Sequence, residues 1–243
     1  MPPRANENLN LPQGCLVVFA DDTGHEALIP DQAVYGLGGC AVMENDLERV
    51  IRKPWRELRK RITGSPDEPL HASDFARGAR MEDILAIAAF FRDQPFARIS
   101  SIVSVQSALV PELSPVSTIA KTLQKRIVDI ARHTPFTVLK IIFEDSDRAN
   151  PLIEAAFSDF ALEEDGRSIP VGCYFMPKSA NEPALEVADF VMHAVGRQAR
   201  QNLKQRGVFV PDFEAVFQSV DQKLVSFIEI NAVSKNEPAP AST

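Results

Sequence analysis

An α/β fold with a five-stranded mixed sheet flanked by helices, its first strand in the middle, is predicted by three features of the sequence. Two runs, residues 15–20 (CLVVFA), continuously apolar, and 136–143 (FTVLKIIF), apolar but for Thr137 and Lys140, are rich in β-favouring residues, the pattern of buried strands. Helix-period and strand-period segments alternate through the second half, which places helices on both faces of a sheet. Between the first strand and the next, at 34–43, Gly24, Pro30 and Asp31 break any helix. That pair is therefore expected to be an antiparallel hairpin with a long loop.

The elements follow in order. Residues 1–13 are polar and rich in Pro and Asn, and are expected to be a flexible segment ahead of a single domain over 14–233. The strand at 15–20 ends in Asp21 and Asp22, with a turn at Thr23-Gly24. In 34–43, Gly36, Gly38 and Gly39 predict close backbone packing or a bulge. Asn45 or Asp46 can cap a helix over 47–62, and Pro54 inside it should kink or divide it. Residues 63–79 read as a loop. Over 81–92, Ile84, Leu85, Ala88 and Phe91 share one face of an amphipathic helix. The third strand is placed at 96–107, so helices are inserted between strands 2 and 3. A helix over 115–134 presents Ile119, Leu123, Ile127 and Ile130. After the strand at 136–143, Asn150 and Pro151 open a helix to 164 as a cap and a first-turn proline do. A fifth strand at 171–176, helices over 182–205 and 212–231, and a disordered tail over 234–243 complete the chain.

Composition narrows the function. The chain has 243 residues, 45% apolar and 24% charged, with a net charge of −7. This is an ordinary globular composition. The charge argues against a general nucleic-acid coat protein, yet leaves room for an enzyme with a local basic groove. No apolar run approaches the length of a membrane span, and the N-terminus lacks the apolar core of a signal peptide. Cys15, Cys40 and Cys173 are far apart and form no CxxC pair, which argues against zinc and for reduced thiols. A cytoplasmic protein is expected.

Acids close both apolar strands: Asp21 and Asp22 after the first, and Glu144, Asp145 and Asp147 after 136–143. If these strands are parallel neighbours, their acids converge at the end of the sheet where α/β proteins bind ligands. Asp189 lies in a helix among Leu185, Val187, Ala188 and Met192. A carboxylate in such surroundings needs donors or an offsetting charge. Three or four oxygen donors from separate elements suit a hard cation such as Mg²⁺ or Mn²⁺. Two such ions can hold both the attacking and the leaving oxygen of a phosphodiester. A structural role is open for each residue: a strand-end Asp in a turn, Asp189 bonded to a neighbouring helix, His71 in a loop before a Ser73 helix cap.

In order and spacing, these segments resemble the family catalogued as domain of unknown function 3800, whose members look like ribonuclease H-fold proteins. Asp21-Asp22-Thr23-Gly24 is similar to the Asp-Glu-Ser-Gly that ends the family's first strand, with Asp22 one methylene shorter than the family's Glu. Leu70-His71-Ala72-Ser73-Asp74 is similar to its His-containing segment, and Glu144 or Asp145 to the acid after a later apolar strand. Val187-Ala188-Asp189-Phe190 is similar to its late Ala-Asp helix motif. The resemblance implies a ribonuclease H-like fold and a divalent-metal-dependent nuclease or phosphodiesterase site. Under it, Asp21, Asp189 and either Glu144 or Asp145 are expected to hold Mg²⁺ or Mn²⁺, Glu144 being favoured because it directly continues the apolar run. Asp22 can support them from behind. His71 can move protons near neutral pH or contact a phosphate.

Arg49, Arg52, Lys53, Arg56, Arg59, Lys60 and Arg61 crowd one predicted helix. Arg49, Lys53, Arg56 and Lys60 share a face at spacings of three and four, a candidate surface for nucleic acid. A merely solvated face has the same pattern. Arg197, Arg200, Lys204 and Arg206 form a second basic end, where the helix dipole alone favours cations. Asp21, Asp22, Asp145 and Lys178 imitate a receiver domain, but 23–33 does not make the helix that must follow a receiver's first strand. A haloacid-dehalogenase phosphatase needs Asp-x-Asp, whereas these acids are adjacent. The glycines at 36–39 lack the spacing of a dinucleotide loop. The remaining alternative is a catalytically inactive nucleic-acid-binding or regulatory protein on the same fold, favoured by the short Asp22 and the acidic net charge.

Overall fold

The computed structural model describes residues 9–29, 33–75, 78–104, 114–131, 133–164, 166–204 and 225–227. Expectations for the first eight residues, for 105–107, for most of 212–231 and for the tail after 233 lie outside them. In chain order the elements are β1 (Cys15–Gly24), β2 (Val34–Met43) and α1 (Glu44–Leu47), which continues through a π-helical turn at Glu48–Arg52 into α2 (Lys53–Thr63). There follow α3 (Ala72–Phe75), α4 (Met81–Asp93), β3 (Ala97–Ser104), α5 (Pro115–Ala131), β4 (Val138–Glu144) and α6 (Asn150–Phe157). A hairpin of β5 (Leu162–Glu164) and β6 (Arg167–Ile169) comes next, and then β7 (Val171–Met176), α7 (Pro183–Lys204) and β8 (Val225–Phe227).

The sheet is mixed and centred on β1, in the order β7-β4-β1-β2-β3, with the short β8 beside β3. β2 runs antiparallel to both β1 and β3, while β4 is parallel to β1 and β7 to β4. The antiparallel first pair and the helices inserted between β2 and β3 are as the sequence predicts. Alternation along β1 divides the core. Cys15, Val17 and Phe19 pack on the side of α2, α4 and α7, whereas Leu16, Val18 and Ala20 pack on the side of α5 and α6. Among the described residues no helix is long and apolar enough to cross a membrane. Of residues 1–13, Leu9 and Leu11 pack against the core on the α7 side.

Two details position the site. The first strand does not stop at Ala20. Its pairing with β4 ends at Ala20–Phe143, but its pairing with β2 continues to Gly24–Tyr35. Asp21 and Asp22 therefore lie inside a strand that has parted from its neighbour on one side, and their side chains point to opposite faces. The glycines of β2 provide close packing: a Cβ on Gly39 would lie 2.5 Å from the Ala188 Cβ, so α7 rests directly on the sheet.

Other expectations change for local reasons, but Pro54 falls where the helix is divided, one of the two outcomes expected of it. It enters at the start of α2 after a π-turn in which the Lys53 amide donates to the Glu48 carbonyl, a widening that accommodates a residue without an amide hydrogen. Leu85 is 57% exposed, and the buried stripe of α4 is Ile84, Ile87 and Phe91. The helix expected to reach 164 ends at Phe157, and β5 pairs with β6 as an antiparallel hairpin, with Gly166 at φ +75°. At 225–227 the chain is not helical: Val225-Ser226-Phe227 pairs in parallel with β3.

Candidate functional site

Asp21 follows Cys15, Val17 and Phe19 in the alternation of β1 and so projects toward α7. Glu144 ends β4, two residues after Ile142, which packs in the same α7-side core. Asp189 lies on α7, one residue after Ala188, which is in contact with the sheet. All three line one cavity of about 400 Å³ at the C-terminal edge of the parallel β1–β4 pair. His71 and Ser73, from the start of α3, line it too, as do Lys178 and Glu186. Three elements distant in sequence thus deliver acids to the notch that opens where β1 and β4 part.

Each acid is held by a donor of the protein itself. The Asp22 amide donates to Asp21 Oδ1 at 2.7 Å. The Ala72 amide donates to Asp189 Oδ2 at 2.9 Å, so Asp189 caps the first turn of α3 in place of the expected Ser73. Lys178 Nζ lies 2.8 Å from Glu144 Oε1. Burial, and then the charges of Glu144, Asp189 and Asp22, push the Asp21 carboxyl well above the usual carboxylate range. Burial also raises Asp189, and Glu144 adds to this, while the Ala72 hydrogen bond, His71 and Lys178 oppose it. Among the described residues no group of three His, Cys, Asp or Glu side chains is already drawn together as a ligand set. The three acids share a wall, each engaged by its own donor. The chemistry of the set still fits a hard divalent cation: the acids supply oxygen donors only, and their mutual repulsion calls for positive charge.

Asp22 and Asp145 go elsewhere. Asp22 lies on the opposite face of β1, where its Oδ2 is 3.2 Å from Arg148 Nη2, and Arg148 also pairs with Glu26. Asp145 accepts a hydrogen bond from the Asn150 side chain at the start of α6, and its amide donates to the Met176 carbonyl. Neither lines the cavity, whereas Glu144 does. His71 is exposed at the cavity wall.

The basic helix splits into two faces. Arg52 makes a two-point contact with Glu182, at 3.0 and 2.7 Å. Arg59, 2% exposed, makes another with Glu186, at 3.0 and 2.6 Å. The Trp55 indole and the Leu70 amide also donate to Glu186. Trp55 stacks edge-on with Phe90, Phe91 and Phe190, so the inserted helices brace the part of α7 that carries Asp189. Outward, Arg49 pairs with Asp46 and Arg56 with Glu48, while Lys53 and Lys60 are exposed.

Sequence reasoning missed Glu182 and Glu186. Their signal is present: 182, 186 and 189 recur at helical spacing, and Arg52 and Arg59 stand seven apart on the helix that meets them. The sequence offers Lys178 only as a receiver-like lysine, and the antiparallel β1–β2 pair excludes that all-parallel arrangement. No protein-family model matches this chain, and no curated protein matches its sequence.

Proposed function

We propose that this protein is a divalent-metal-dependent nuclease or phosphodiesterase with a ribonuclease H-like arrangement, of the kind gathered as domain of unknown function 3800. One observation carries the reading: Asp21, Glu144 and Asp189, from β1, β4 and α7, line one cavity at the C-terminal edge of the parallel pair. The antiparallel β1–β2–β3 half and the parallel β1–β4–β7 half are consistent with that fold. These three acids would hold Mg²⁺ or Mn²⁺, which when bound supplies positive charge for the oxygens of a phosphodiester. His71 reaches the same cavity from an exposed loop position, from which an imidazole can take or give a proton. The exposed Lys53 and Lys60 offer charge to a nucleic-acid backbone.

A second reading has its own support. The acids are engaged by Lys178, the Ala72 amide and the Asp22 amide, and no ligand set is preformed among the described residues. An inactive binding or regulatory protein would look like this. Asp21→Asn and Asp189→Asn separate the two, because Asn can still accept the amide hydrogen bond and only the charge is removed. For the metal enzyme, Mn²⁺ raises the melting temperature of wild type and of neither variant. Cleavage of single- or double-stranded DNA or RNA disappears with the same substitutions. No Mn²⁺-induced shift in wild type, with both variants melting lower than it, would make the acids structural and end the nuclease reading.

A further inference from the structure

We propose that Lys178 is an internal counter-ion which the metal displaces, and that the released ammonium then takes a phosphate of the substrate. The inference rests on the metal-dependent reading above and adds a positioning residue to it. Lys178 is the one lysine or arginine among the described residues lining the cavity. Its backbone is fixed where the acids are: β7 ends at Met176, which pairs with Glu144, and a single 3₁₀ turn, Lys178–Ala180, follows. The ammonium is 2.8 Å from Glu144 Oε1, and its charge also acts on Asp21 and Asp189.

What distinguishes this lysine from the other cations on this side of α7 is freedom. Arg59 is clamped by Glu186 and buried, and Arg52 is gripped at two points by Glu182. The Lys178 side chain is 69% exposed and touches its acid through one point charge on a flexible stem. An ammonium 2.8 Å from Glu144 Oε1 and a divalent cation on the same carboxylate would repel each other, so metal at Glu144 favours release of the lysine. Once Glu144 turns to metal, the lysine is left at the cavity wall with its acid taken. The negative charge that would then reach the ammonium is a phosphate of the substrate, and lysine binds phosphate well as a point charge. The same side chain would thus keep three mutually repelling acids tolerable without metal and grip the substrate with it.

The test uses Lys178→Met and Lys178→Arg in the full chain, with circular dichroism to check that each folds. Mn²⁺ affinity is measured by titration calorimetry. Binding of short oligothymidylate and oligouridylate is measured by fluorescence anisotropy in Ca²⁺, with and without chelator. The proposal expects opposite signs in Lys178→Met: Mn²⁺ binds about fivefold tighter, the scale of one exposed ion pair removed from competition, while oligonucleotide binding in Ca²⁺ weakens. Lys178→Arg, which keeps the charge, should bind oligonucleotide more nearly like wild type. Unchanged or weaker Mn²⁺ binding in Lys178→Met overturns the displacement, and unchanged oligonucleotide binding overturns the handover. If wild type itself binds no Mn²⁺, the metal site fails and this inference fails with it. Mn²⁺ binding by wild type together with an unaltered Lys178→Met sinks the inference alone.

Discussion

Two carboxylates three residues apart on α7 are treated in opposite ways. Glu186 is buried and fully matched: Arg59 clasps both its oxygens, and the Trp55 indole and the Leu70 amide add two more hydrogen bonds. Asp189, one turn on, is held by a backbone amide rather than clasped by an arginine, and it shares its cavity with Asp21 and Glu144. A carboxylate that serves only the fold is expected to bring its cation with it, because an unpaired buried charge is costly. A carboxylate left beside other carboxylates makes the fold less stable than it need be. That asymmetry is the physical ground on which we propose the chemistry at Asp189 and a structural role for Glu186.

The strongest way to break the comparison is to delete Arg59. Arg59→Met leaves Glu186 charged, buried and half-satisfied, and such a change costs about 3–5 kcal/mol. In a chain of this size that corresponds to roughly 6–20 °C in melting temperature. Asp189→Asn should do the reverse in the absence of metal, holding the melting temperature steady or raising it. If the two variants melt equally far below wild type, both acids are structural and the distinction collapses.

Acidity offers a subtler probe. Folding raises the carboxyls of Asp21 and Asp189 above the ordinary range, chiefly through burial and then neighbouring negative charge. The folded state therefore binds their protons more tightly than the unfolded state does. The stability they contribute is complete below the ordinary carboxylate range and is lost as pH rises through the raised folded values. Without metal, wild type should fall in melting temperature relative to Asp21→Asn as pH climbs from about 4.5 to 8, the span above the ordinary Asp value. With Mn²⁺ the trend should invert, since metal requires the deprotonated acids. A wild-type-minus-variant difference that stays flat across this range would contradict the environment described for Asp21.

Much of this architecture is legible in the residues. The apolar runs at 15–20 and 136–143 mark two central strands, which pair in parallel in the structure, and the broken segment after Gly24 points to the hairpin. The acids at the ends of those runs include two, Asp21 and Glu144, that the fold brings to one cavity. The strict alternation of a strand says more than that. With β1 carried through to Gly24, Asp21 and Asp22 fall on opposite faces, and Asp22 leaves the candidate set for the side where Arg148 meets it. The same argument favours Glu144 over Asp145. The β5–β6 hairpin also carries a signal, Asp165-Gly166 between short strand-like runs, which the helix-like stretch after Pro151 masks. What no pattern within one segment reveals is partnership across the fold. Arg52 and Arg59 look like surface charge until α7 is packed against them, because an ion pair is a property of two distant elements.

The smallest expected effect lies on that same helix and concerns its outward face. Arg52 and Arg59 are committed to α7, whereas Lys53, Arg56 and Lys60 look to solvent, and the ion pair that Arg56 makes with Glu48 is itself exposed. Exposed pairs contribute about 0–1 kcal/mol, so replacing all three residues with Ala should move the melting temperature by no more than roughly 2–3 °C. If this face tracks a nucleic-acid backbone, the same triple variant should flatten the plot of log affinity against log salt. Each phosphate that is no longer neutralised lowers the slope by roughly 0.7–0.9, so removing all three charges should lower it by about 2. A triple variant that melts like wild type and keeps the wild-type slope would show that the outward charges only solvate the helix. Nucleic acid, if it binds, would then have to be held at the cavity itself. A variant that instead melts far below wild type would mean that the division of this helix into a committed and an uncommitted face is wrong.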